Sequence, residues 1–227
     1  MYLNRQHKDN TKTIYYCILV DYNNKRRFGQ DPSNQLCTDD FAGHWAHNAN
    51  LSVKAIMGIA GYSEIARMLG FNDVADEYAT IAKKMAVKWE EMANEGDHYR
   101  LAFDREDTWS QKYNMIWDKM WGLNLFPNNV IDKEINYYLT KQNPYGLPLD
   151  SRKDYTKSDW IMWTAAMSSD QITFEKFVDP LYKYVNETIS RVPISDWYDT
   201  KTNQMTGFKA RSVIGGHWMK VLMGKMK

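Results

Sequence analysis

Cysteine is scarce in this 227-residue chain, with only Cys17 and Cys37. The two can pair once at most and have no metal-ligand spacing, which argues against a zinc site. Charge imbalance is also missing. Twenty-nine basic residues stand against 28 acidic ones, a net charge of +1. A dedicated nucleic-acid or membrane-surface binder would need a clustered excess of Lys and Arg. No stretch approaches the ~20 apolar residues of a membrane span. The apolar run Ile14 to Val20 near the N-terminus is too short for the hydrophobic part of an export signal, and no small-residue cleavage site follows it. No GxSxG or comparable nucleophile motif is present, and no cofactor is expected.

Aromatic residues, by contrast, are abundant: 14%, with nine Trp and 15 Tyr. They fit either a large core with its rim or a cleft lined with stacking surfaces. Residues 1–34 read as a separate N-terminal segment, polar apart from a strand-like run from Tyr15 to Tyr22 and followed by the loop NNKRRFGQDPSN. Residues 35–227 read as one helical domain. Within it, residues 49–69 carry Leu51, Val53, Ile56, Ile59, Tyr62 and Ile65 around most of the circumference, the pattern of a buried helix. Gly70 then stands where a C-terminal cap glycine belongs. Residues 73–93 carry Val74, Tyr78, Ile81, Met85 and Trp89 on one stripe, opposite Lys83, Lys84, Lys88 and Glu91. The alternation continues: 110–125, 159–168 and 212–223 read as buried, 129–142 and 171–188 as amphipathic. An up-down bundle would make every helix equally amphipathic. Alternation requires inner and outer layers, the signature of an α/α toroid or a helical solenoid. No strict repeat of roughly 34 or 40 residues is visible, so the toroid is favoured. The expected fold is all-α, an α/α toroid of the six-hairpin type, here incomplete with about seven helices.

If the hairpins run strictly up and down, the segments leading into the inner helices share one rim. Those segments, 37–48, 104–114, 149–160 and 195–212, are rich in Asp, Lys, Arg, Trp and Tyr. Helix N-termini also aim unpaired N–H groups at such a rim. The candidate catalytic carboxylates are Asp39, Asp40, Asp118 and Asp159. Asp39, Asp40 and Asp159 could equally be helix caps, and Asp118, inside an apolar helix, must be paired or protonated. Candidate substrate-binding residues are His44, Trp109, Lys112, Lys157, Trp160 and Arg211; a structural salt bridge is the competing role for Lys112, Lys157 and Arg211. His44 and His47 are three apart but lack a third ligand, so no metal is expected. Asp196 and Asp199 do not follow calcium-loop spacing and read as part of a turn. Ser110, Thr108 and Thr38 are further possible nucleophiles.

Five blocks resemble those of one known family: LCTDDFAGHWAHNANLSVKAIMGIAGY, WSQKYNMIWDKMWGLNLFP, YGLPLDSRKDYTKSDWIMWTA, SRVPISDWYDT and GFKARSVIGGHW. They look like the glutaminase A-like proteins of bacteria and fungi, whose C-terminal region was first described as a domain of unknown function. The resemblance runs in order from about Gln35 to Trp218. It implies an α/α toroid and a hydrolase acting on the side-chain amide of glutamine, with a periplasmic or secreted setting. Family members usually carry β-rich domains and further helices before the TDDFAGH block, so the chain is expected to be a truncated C-terminal portion.

The functional expectation is therefore a glutaminase-like hydrolase with a small-molecule substrate. The alternatives are a carbohydrate-active domain, for which the Trp- and Asp-rich rim supplies aromatic platforms and paired carboxylates, and an inactive remnant. With only about three and a half hairpins, both edge helices would expose faces meant to be covered, so a homo-oligomer or association with a missing half is expected. Neither nucleic acid nor membrane is an expected partner.

Overall fold

A computed structural model describes residues 30–32 and 43–226. Asp39, Asp40, Thr38, both cysteines and the strand-like run at Tyr15–Tyr22 lie outside the described residues.

Helix α1 (Ala49–Met68) begins at Asn48, whose side chain accepts from the Leu51 N–H at 2.8 Å. That bond satisfies one of the unpaired donors of the first turn. Twelve of its 20 residues are buried and they surround the axis. Helix α2 (Asn72–Ala93) buries only six of 22. They are Ala75, Tyr78, Ala82, Ala86, Trp89 and Ala93, a single stripe at spacings of three and four. The stripe lies on α1, and the Trp89 indole donates to the Ala49 carbonyl at 2.8 Å. The inner and outer assignment of this hairpin is the one the periodicity predicts.

The segment expected to be a helix over 110–125 is shorter than that. A 3-10 turn (Tyr113–Met115) runs into the six-residue α3 (Ile116–Trp121). Gly122 stops it in the left-handed region at φ +67°, a conformation that favours a residue without a Cβ. Helix α4 (Asn128–Leu139) follows, with five buried residues. Strand β1 (Tyr155–Lys157) leads directly into α5 (Ser158–Ala166), where eight of nine residues are buried. Helix α6 (Gln171–Glu187) is its outer partner and buries only Phe177, Leu181 and Tyr184.

Two expectations are corrected. The chain is not all-α: strands β2 (Ser195–Asp199) and β3 (Met205–Lys209) form an antiparallel hairpin that joins β1 in a three-stranded sheet of order β1-β2-β3. The segment 195–212, read as a rim loop, is thus mostly strand. Tyr198, buried on β2, stacks on Tyr184 of α6 and ties the hairpin to the helices. The last expected inner helix, 212–223, is not buried either. A 3-10 turn (Ser212–Trp218) contains no buried residue, and helix α7 (Met219–Lys225) buries only Met219. Trp218 is 68% exposed, and Val221 and Leu222 are also exposed, because no further element packs on them among the described residues. No helix of the described residues is long and apolar enough to cross a membrane.

The lead-in segments do meet. Ala49 N donates to Leu101 O at 2.8 Å, and Phe103 N to His47 O at 2.9 Å. Gln111 N donates to Leu149 O at 2.8 Å, Ser110 bridges to Asp150, and Tyr155 pairs with Asp199 across β1 and β2. Arg152 clamps this end through a two-point pair with Asp150 (3.1 and 2.6 Å) and a bond to the Gly43 carbonyl.

Candidate functional site

A cavity of about 540 Å³ opens where α5 starts, between that helix, β3 and the 3-10 turn after it. Its polar lining is Lys157, Asp159, Arg211 and Ser212; its aromatic walls are Trp160, Trp163 and Phe208. That volume and that mixture suit a small ligand held by a few polar groups.

Local structure explains how these groups converge. β1 hands the chain to α5 without a loop, so Lys157 ends a strand while Ser158 and Asp159 open a helix. Trp160 and Trp163, three apart on α5, both face the cavity, as neighbours on one helix surface should. Tyr113 stacks on Trp160 with ring centroids 4.3 Å apart, and Trp117 meets Trp163 edge-on at 5.1 Å. Phe208 sits on β3, with the Arg211 guanidinium 4.2 Å over its ring and the Lys157 ammonium at 5.1 Å. Contacts of that kind hold cations against an aromatic wall.

The charges are arranged around two carboxylates. Asp196, fully buried on β2, forms an ion pair with Lys157 and lies 3.8 Å from Arg211 Nη1. Asp159 is 3% exposed, and its Oδ1 is buried with no hydrogen-bond partner. Burial pushes the Asp159 carboxyl above its usual value, against the opposing pull of Lys157, of backbone N–H groups at the helix start and of Arg211. Burial likewise lowers Lys157 to about 8, opposed by Asp159, so its cationic form still predominates at neutral pH. Beside them, His217 Nε2 and Ser158 Oγ lie 2.9 Å apart. Burial lowers the His217 pKa and so favours its neutral imidazole.

Of the residues the sequence singles out, Lys157, Asp159, Trp160 and Arg211 are brought together here. Four others are elsewhere. Lys112 is fully buried and donates to the carbonyls of Tyr99 (3.1 Å) and Ser110 (2.9 Å), with Glu134 at 3.5 Å. Trp109 packs on Tyr137 and Tyr138. Asp118 accepts from the N–H groups of Leu125 (3.0 Å) and Phe126 (2.9 Å), tying down the chain that follows α3. His44 is exposed in the segment before α1 and is not part of the cavity wall. Four nearby groups were not singled out: Trp163, Phe208, His217 and the Gly215–Gly216 pair. Trp163 reads in sequence as one more apolar residue of a buried helix, and nothing marks which side of that helix faces a hollow. Of the remaining three, Phe208 lies on the short strand β3 and the other two on the 3-10 turn after it, where no clear periodicity guides a reading. Among the described residues, no group of three or more His, Cys, Asp or Glu could hold a metal ion.

Comparison with known proteins adds the family. The model of the glutaminase A six helical-hairpin domain matches residues 1–221, a span that takes in the N-terminal 34 residues as well. The chain belongs to this family. Its relatives include glutaminase A of Aspergillus oryzae, 37% identical over 199 residues, and a probable glutaminase of Arthroderma benhamiae, 33% identical over 230. These matches cover 85% and 87% of this chain but only 29% and 27% of the two relatives. The chain thus spans under a third of the length of the glutaminases it matches.

Proposed function

We propose that this chain carries the reaction site of a glutaminase-type hydrolase, acting on the side-chain amide of glutamine or a closely related amide, within an α/α toroid of inner and outer hairpins. The observation that carries the reading is Asp159: a buried carboxylate with one oxygen unpartnered, in an aromatic-walled cavity beside two cations. Amide hydrolysis needs a base for the attacking water, an acid for the departing ammonia and an anchor for the rest of the substrate. Burial keeps the proton on Asp159 to higher pH than in an ordinary aspartate, which suits it to protonate the leaving nitrogen. The candidate base is the neutral His217 imidazole, which meets Ser158 Oγ at 2.9 Å beside Asp159 and is not itself part of the cavity wall. Arg211, its side chain 39% exposed, reaches for the α-carboxylate of the amino acid, as a guanidinium does best. Lys157, held by Asp196, draws the Asp159 carboxyl towards its charged form and so offsets part of the effect of burial.

The test is ammonia release from L-glutamine. The parent chain should release it, Asp159→Asn should lose ~10²-fold or more in kcat, and Arg211→Gln should act mainly on KM. A parent chain without ammonia release, or a fully active Asp159→Asn, would overturn the reading. The aromatic walls favour a second reading, glycoside hydrolysis; reducing-sugar release from a glycan panel, without ammonia release from glutamine, would select it.

A further inference from the structure

The end of β3 is bent at residues poorly suited to bending. Phe208 and Ala210 both hold left-handed backbone, at φ +54° and +53°, and neither is glycine. A bulky aromatic residue in that region is a steric outlier, and such residues persist only where their surroundings hold them. Here the surroundings do. Gly207 passes so close to the Trp197 ring that an added Cβ would lie 2.8 Å from it. Lys209 pairs with Ser195 in the ladder, and the Ala210 N–H donates to the Ile194 carbonyl at 3.2 Å. Lys209 and Arg211 stay out of the left-handed region, so strained and ordinary residues alternate from 208 to 211.

The bend has a geometric result. Side chains along a regular strand alternate faces, so residues 208 and 211, an odd number apart, would point to opposite sides had β3 continued regularly. Instead both line one cavity, with the Arg211 guanidinium 4.2 Å over the Phe208 ring. That guanidinium is otherwise loosely held. Among the described residues its one ion-pair contact is Asp196 at 3.8 Å, too long for a hydrogen bond. An arginine left so open would sample many rotamers, and an aromatic face beneath it narrows the choice. We infer that Phe208 is a positioning residue, turned into the cavity by the two left-handed residues to hold Arg211 ready for the substrate carboxylate. Its part in binding rests on the glutaminase reading; its hold on Arg211 does not.

Each part has its own readout. In the 15N-labelled chain at mildly acidic pH, the Arg211 Nε–H cross-peak is identified by its absence in Arg211→Gln, and the Phe208 ring current should displace it upfield. Phe208→Leu should return it to the position of an exposed arginine, and Phe208→Tyr should keep it displaced. Ala210 is exposed and outside the cavity wall, so it reaches Arg211 only through the backbone. Ala210→Val, β-branched and poorly tolerated in the left-handed region, should move the peak as Phe208→Leu does, whereas Ala210→Gly should leave it in place. In ammonia release, Phe208→Leu should raise the KM for L-glutamine about three- to tenfold with little change in kcat, and Phe208→Tyr should keep the parent value. In an Arg211→Gln background, Phe208→Leu should add nothing. An Arg211 signal indifferent to both Phe208→Leu and Ala210→Val, or KM effects of Phe208→Leu and Arg211→Gln that multiply, overturns the positioning role even in a chain that releases ammonia. A signal that moves as expected in a chain that releases none upholds the hold on Arg211 and overturns the glutaminase reading instead.

Discussion

The hairpin α1–α2 and the C-terminal segment from Trp218 through α7 both present regularly spaced apolar residues, yet they end in opposite conditions. In the hairpin the stripe of α2 finds α1, and Trp89 vanishes between Tyr99 and Phe126 with its N–H satisfied. At the other end Trp218, Val221 and Leu222 recur at helical spacing and remain exposed. Spacing states which face a helix could bury; only a neighbour decides whether it is buried. The two ends of the chain also divide the work. The hairpin supplies bulk packing, whereas β3 and the turn after it supply one wall of the cavity.

The sharpest way to break this contrast is at its two tryptophans. Trp89→Ala removes a fully buried ring and a hydrogen bond, and should cost ~3–5 kcal/mol, read as a shift in the denaturant midpoint. A loss below about 1 kcal/mol would mean the hairpin is not the packed half of the molecule. A smaller effect is expected at the cavity. The folded state of Asp159 holds its proton more tightly than the unfolded chain does, so at neutral pH its ionised form opposes folding. Asp159→Asn should therefore be more stable than the parent at pH 7. The difference should shrink as pH falls through the raised folded pKa towards the unfolded value near 3.8, and urea titrations across that window check it. A variant less stable than the parent at pH 7 would show that Asp159 is a structural cap. The smallest effect belongs to Trp218→Ala, which should change stability by ~0.5 kcal/mol or less in the same measurement.

Much of the helical scaffold is legible because burial on all sides and burial on one side leave different spacings. Helices α1, α2, α5 and α6 follow from Ile56, Trp89, Ile161 and Phe177 and their neighbours. The sheet does not. Its first strand is three residues long, and the run SDWYDTKTNQMTGFK mixes charged and aromatic residues without clean alternation. Its pairing with Tyr155–Lys157 is a tertiary fact, between residues about 40 apart. The site divides in the same way. Lys157, Asp159, Trp160 and Arg211 are reachable from the idea of a shared rim. Lys112 and Asp118 look equally chemical in sequence and turn out to satisfy backbone groups. Charge in an apolar segment marks a group that needs partners, and only packing shows whether those partners are carbonyls or a ligand.

The late position of β3 and its following turn has a consequence in time. A ribosome delivers Lys157 and Asp159 about 50 residues before Phe208, Arg211 and Gly216. Joining the two sets requires closing a long loop, whose entropic cost must be met before any contact returns it. During synthesis the helical hairpins can form from local contacts while Asp159 still faces water on its open side. It starts as an ordinary aspartate and becomes an unusual one only when the hairpin β2–β3 arrives. The unusual surroundings of Asp159 are thus a late event in the life of the chain, acquired after the earlier hairpins are in place.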